Sequence, residues 1–106
     1  IRFGCIPYLG ADLSVFVACD ILVTHVPPFK TNTSQSVIGR EKKDWGDKNL
    51  YDALKKHLLR PRYLLCGHVE NPVEIRDCLF GVEIVNPGAQ HHSAIPNHEL
   101  IKWMYH

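Results

Sequence analysis

Apolar and polar positions along this chain fall into short blocks separated by turn residues. Ile21-Leu22-Val23-Thr24 is unbroken and rich in β-branched residues, the pattern of a strand buried on both faces. Tyr63-Leu64-Leu65-Cys66 reads as a second buried strand. Val82-Glu83-Ile84-Val85 alternates and predicts a third, stopped by Asn86-Pro87-Gly88. Between the first two, Leu50, Ala53, Leu54 and Leu58 recur at three and four residues, which predicts an amphipathic helix. Asp47 is its expected N-cap. Lys55, Lys56, His57 and Arg60 crowd its last turns, where positive charge suits the helix dipole, and Pro61 closes it. His57 falls on the edge of the apolar stripe and is expected to pack or to cap.

The remaining segments carry weaker patterns. Residues 1–14, punctuated by Pro7 and Gly10, predict a short edge strand. Residues 73–75 predict another short strand with a turn near Asp77, and residues 100–105 a final strand or short helix. From Phe29 to Gly46 the chain is polar. A loop of that length is expected to be functional, mobile or simply a solvated excursion.

The order strand, helix, strand predicts a βαβ unit with two parallel strands in one sheet. The first strand ends in His25, and the second, after Gly67, in His68. Ligands of open α/β sheets bind outside the C-terminal strand ends, so both imidazoles are expected at one edge, near enough to share a metal ion. Gly67 is expected to allow unusual dihedrals or a close backbone approach beside the ligand. Pro27 and Pro28 would stiffen the turn after His25. Asp20 precedes its strand, lies at the opposite edge and is expected to be structural. His91 and His92 follow the Asn-Pro-Gly turn and are weaker candidates, expected to be solvent-exposed.

Length and composition set bounds on these readings. A chain of 106 residues is one domain at most, or part of one. It is 45% hydrophobic and 22% charged, a balance that suits a small core. The net charge of +1 gives no broad basic face, so nucleic acid is not indicated. No apolar stretch approaches the roughly 20 residues of a membrane span. The four cysteines, at 5, 19, 66 and 78, form no C-x-x-C pair. They are expected to be reduced, in a cytoplasmic or other reducing compartment. The chain opens on Ile1 and runs directly into Arg-Phe-Gly-Cys, which reads as a cut through a longer protein.

Asp20-Ile21-Leu22-Val23-Thr24-His25-Val26-Pro27-Pro28 resembles the D-[IV]-L-[LIV]-T-H-x-P-P segment of calcineurin-like metallophosphoesterases. Residues 60–69, Arg-Pro-Arg-Tyr-Leu-Leu-Cys-Gly-His-Val, resemble the R-P…G-H-x-H segment of the same family. Ile84-Val85-Asn86-Pro87-Gly88 is similar to its strand and N-P-G turn. The resemblance covers residues 20 to 90. It implies the C-terminal half of a four-layer α/β sandwich. It also implies a centre of two divalent metal ions (manganese, zinc or iron) that hydrolyses a phosphate ester. His25 and His68 would serve one ion, and position 70 the other. Position 70 is Glu70, where the family has its second histidine. The motifs D-x-H, G-D-x-x-D and G-N-H-[DE] are absent, so no residue here is expected to be catalytic. The 106 residues alone are expected to be inactive and to pair through an exposed sheet edge with a missing N-terminal half or a second copy. Asn86 is expected to fix its turn rather than touch substrate. Two rival readings remain: a non-catalytic protein-binding scaffold of the same fold, and an unrelated α/β binding module.

Overall fold

The computed structural model of the chain describes residues 1–90 and 93–103. It is a mixed α/β fold built on one five-stranded sheet, with few helices. The chain runs through β1 (Phe3–Ile6), a 3-10 turn (Leu13–Phe16), β2 (Ile21–Thr24), β3 (Gln35–Ile38), β4 (Glu41–Asp44), α1 (Lys48–Lys55), β5 (Tyr63–Leu65), β6 (Arg76–Leu79) and β7 (Val82–Val85). The sheet order is β1-β2-β5-β7-β6, and β3 and β4 form a separate hairpin. Strands β1, β2, β5 and β7 are parallel, and β6 pairs antiparallel with β7 at the far edge. The expected βαβ unit is β2-α1-β5, with Leu22 opposite Leu64. The N-terminal edge strand is β1.

One face of the sheet carries the core. Register aligns Gly4, Leu22, Leu64 and Ile84, and the last three are fully buried with Leu50, Ala53 and Leu54 of α1. Gly4 is needed there because a β-carbon would lie 2.6 Å from Cys19 Sγ and 2.7 Å from the Phe16 ring. The opposite face presents Phe3, Cys5, Ile21, Val23, Tyr63, Leu65 and Val85. Phe3 is 67% and Val23 38% exposed. The expectation that β2 and β5 are buried on both faces is therefore not met. The helix covers one face only, and on the other Glu99 and Ile101 line a groove of about 370 Å³ with Val23, Leu65 and Val85. Trp103 lies 6.1 Å from Tyr63 between ring centres, with Arg62 4.8 Å above the indole. Residues 100–103 are neither strand nor helix. Residues 104 and 105 of the expected final element lie outside the described residues.

The helix begins as expected. The Asp47 carboxylate accepts from the amides of Asn49 and Leu50. It ends earlier than the apolar stripe suggests, at Lys55. His57 takes φ 56°, while its N–H donates to Leu54 O and that of Leu58 to Ala53 O. This is the paired bonding of a left-handed helix cap. The reversal turns Leu58 outward, at 47% exposed, and buries Leu59 in its place.

The polar stretch 29–46 is not a solvated loop. Gly39, at φ 63°, supplies the left-handed residue that a two-residue hairpin turn requires, and β3 and β4 pair across it. Ahead of the hairpin, Thr31, Thr33 and Ser34 are wholly buried. Thr31 Oγ1 donates to Pro28 O and stands 2.7 Å from Thr33 Oγ1, and Ser34 Oγ donates to Thr31 O. Polar side chains are buried here because they satisfy one another and the backbone. The strand expected at residues 73–75 lies instead at Arg76–Leu79, with Asp77 inside it rather than in a turn. The Asp77 carboxylate accepts from the Asn32 amide.

Among the described residues, no helix is long and apolar enough to cross a membrane. The cysteines are free: Cys66 is buried, Cys19 half-buried, and Cys5 and Cys78 exposed.

Candidate functional site

His25 follows β2 directly, and His68 follows β5 after Cys66 and Gly67. The two strands are parallel neighbours, so both residues leave the sheet at the same edge. Their rings meet with centres 5.0 Å apart and planes at 61°. Both residues are exposed. The approach is held by the backbone, because the Gly67 N–H donates to His25 O at 3.3 Å. On the His25 side, Thr24 Oγ1 donates to Val26 O at 2.8 Å, and Pro27 and Pro28 are fully buried.

The unusual backbone is at His68 and not at Gly67. Nothing would lie within 4 Å of a β-carbon at position 67, and its φ is not left-handed. His68 has φ 62°, and the Val69 N–H donates back to Gly67 O at 2.7 Å. A three-residue turn with positive φ at its apex is the rarer, strained γ form. Such conformations cost about 1–3 kcal/mol and persist where the surroundings over-determine them.

The Asn-Pro-Gly turn packs behind this loop. Asn86 Nδ2 donates to Val69 O at 2.9 Å and to Thr33 O at 3.0 Å, and its Oδ1 accepts from the Gly88 amide. Asn86 thus ties its own turn to the loop that carries His68. Gly88 needs to be glycine: its φ is 73°, and a β-carbon would lie 2.6 Å from Glu70 O. The Glu70 carbonyl also accepts from the Ala89 amide.

Glu70 is exposed and lines a second groove, of about 420 Å³, with His68, Ser36, Trp45 and Asn71. Sequence reasoning did not anticipate Ser36, Trp45 or Asn71 here. The signal available was Gly39, which turns the 29–46 segment back on itself and brings the hairpin beside His68. Asp20 lies at the other end of β2, where its carboxylate accepts from the Arg2 amide, a structural role. His57 is the helix cap described above. His91 and His92 lie outside the described residues.

The chain matches no family model, no curated protein and no solved structure.

A metal ion can be tested against the imidazole pair on geometry. Two imidazoles sharing one ion through nitrogens about 2.1 Å from it have ring centres no more than about 6 Å apart, and 5.0 Å meets that limit. Two ligands do not fill a tetrahedral ion, which takes four. Among the described residues, no group of three or more His, Cys, Asp or Glu is assembled to hold one. Further ligands would have to come from outside the pair. The neighbouring Cys66 thiol is buried and donates to Val85 O at 3.5 Å.

Proposed function

We propose that this chain supplies part of the metal site of a calcineurin-like, metal-dependent phosphoesterase. The observation that carries the reading is the His25–His68 pair, 5.0 Å apart at the C-terminal ends of adjacent parallel strands. The T-H-x-P-P and G-H segments of the sequence support it. In this reading His25 and His68 hold one divalent ion (zinc, manganese or iron) through their ring nitrogens. Glu70 takes the position of a ligand to a second ion. An ion held by these residues would supply Lewis-acid chemistry for the hydrolysis of a phosphate ester. The chain's own contribution is to hold the two imidazoles in a fixed relation, so that little ordering cost falls on metal binding. The sheet and its helix would form two layers of a four-layer sandwich, and an N-terminal half would bring the missing ligands. The apolar face of Phe3, Val23 and Leu65 is where that half's sheet would lie, and by itself the chain is inactive.

The test is a thermal melt with zinc or manganese on the wild type, His25→Ala and His68→Ala. Free ion at about a hundred times its Kd stabilises the folded state by about 2.7 kcal/mol, which raises the wild-type Tm. Either substitution removes the rise. A wild-type Tm indifferent to both ions defeats the reading.

The apolar face that the helix leaves open, lined in part by Glu99 and Ile101, also favours a second reading, a protein-binding scaffold of the same fold whose metal site has decayed. Glu70→His separates the two. A decayed enzyme gains metal affinity on this change, whereas a scaffold keeps its partner binding whatever residue stands there.

A further inference from the structure

Asn86 follows β7 and is wholly buried, with 0% of its surface exposed. A carboxamide has two N–H donors and a carbonyl acceptor. Here both donors are used, on Val69 O at 2.9 Å and Thr33 O at 3.0 Å, and the carbonyl accepts from the Gly88 amide at 3.0 Å. Val69 is the residue that closes the turn at whose apex His68 stands. Its N–H is held by Gly67 O and its C=O by Asn86. On the other side of His68, the Gly67 amide is held by His25 O. The left-handed backbone of His68 is therefore bracketed, on its C-terminal side by the buried Asn86 side chain on Val69 O and by the Ala89 amide on Glu70 O.

A histidine is not at ease at φ 62°. If the Val69 carbonyl were released, the chain would relax toward negative φ, and the Cα–Cβ bond would swing the ring away from His25. We propose that Asn86 is a positioning residue: it holds His68 in its positive-φ conformation and so sets the two imidazoles at one ion's reach. The inference rests on the metal-site reading for its purpose, but the geometric claim stands apart from it. The chemistry explains why the residue is asparagine. Aspartate would lose both donors and bury a charge. Serine would be too short to reach Val69 O.

The experiment is solution NMR of the labelled chain, as wild type, Asn86→Ala and Asn86→Ser, with zinc titrations alongside. The wild type should show positive φ at His68 and through-bond couplings from the Asn86 side-chain amide to the Val69 and Thr33 carbonyls. It should also show ring-to-ring NOEs between His25 and His68. In the variants those ring NOEs should vanish, while NOEs among Leu22, Leu64 and Ile84 persist. Zinc affinity should fall by about 10–100-fold, the usual loss when a residue behind a metal ligand is removed. Intact ring contact in a folded variant overturns the inference. If neither variant folds, the wild type decides: negative φ at His68, or no coupling to Val69, overturns it. A wild type that binds no zinc defeats the metal reading, yet the ring contacts still decide the role of Asn86.

Discussion

A β-carbon at position 46 would lie 2.5 Å from Phe29 Cα and 2.6 Å from its nitrogen, whereas at position 67 it would meet nothing within 4 Å. Gly46 sits where the hairpin's two ends close, with the Asp47 amide on Pro27 O and the Phe29 amide on Asp47 O. Backbone cannot yield as a side-chain tip can. Gly46→Ala should therefore cost about 1–3 kcal/mol, the usual penalty of overpacking, and Gly67→Ala should cost nothing measurable in the same urea titration. The sequence makes Gly67 look the more constrained, because it stands between a strand and a histidine. Local spacing cannot reveal that the strain has passed to His68, since it arises from a contact with Asn86, far along the chain.

Cys66 gives the residue scale a pH dependence. Burial pushes its thiol from 9.0 to about 12, so the folded chain keeps this proton to higher pH than the unfolded chain does. The stability linked to it is complete below about pH 9 and is lost as pH rises toward about 12. Chemical denaturation on either side of about pH 9 should show the wild type losing more stability than Cys66→Ala across that window. Equal losses would mean that the thiol is not protected. Cys5 and Cys78, both exposed, should alkylate well before Cys66.

At the scale of elements, local chemistry was enough wherever an element is defined by its own residues. The spacing of Leu50, Ala53 and Leu54 and the Asp47 cap made α1 legible, the unbroken apolar runs made β2 and β5 legible, and the alternation of Val82 to Val85 made β7 legible. The C-terminal end of the helix was not. Continuing the stripe to Leu58 assumes an unbroken helix, but His57 reverses the chain and buries Leu59 instead. Glycine is the residue that adopts this cap without strain. His57→Gly should accordingly raise stability, by about 1 kcal/mol, read from the midpoint of thermal or urea unfolding. A loss would show that the histidine ring makes a contact worth more than the strain. The β3-β4 hairpin escaped notice for a related reason. Its approach, through Thr31, Thr33 and Ser34, is polar by composition yet buried by mutual hydrogen bonding, a state that composition cannot distinguish from solvation.

At the scale of the whole molecule, the pairing of His25 with His68 was legible because topology dictates it. Parallel neighbours across one helix must end at one edge. Their 5.0 Å separation was not legible, and neither was the one-sided burial of the sheet, because both depend on what packs behind and over the strands. The tie that sets the separation is long: Asn86 reaches back 53 residues to Thr33 and 17 to Val69. Contacts of high sequence separation close late, after the loop entropy has been overcome. A chain with β2, α1 and β5 in place but β7 still undocked would own both histidines without their spacing. On the metal-site proposal, an ion would then bind only after the barrier has been crossed, as a latch rather than a seed. In stopped-flow experiments, zinc should leave the refolding rate unchanged and slow unfolding, since an interaction absent from the transition state acts on the unfolding limb alone. Acceleration of refolding by zinc would mean that the two imidazoles find each other before β7 arrives.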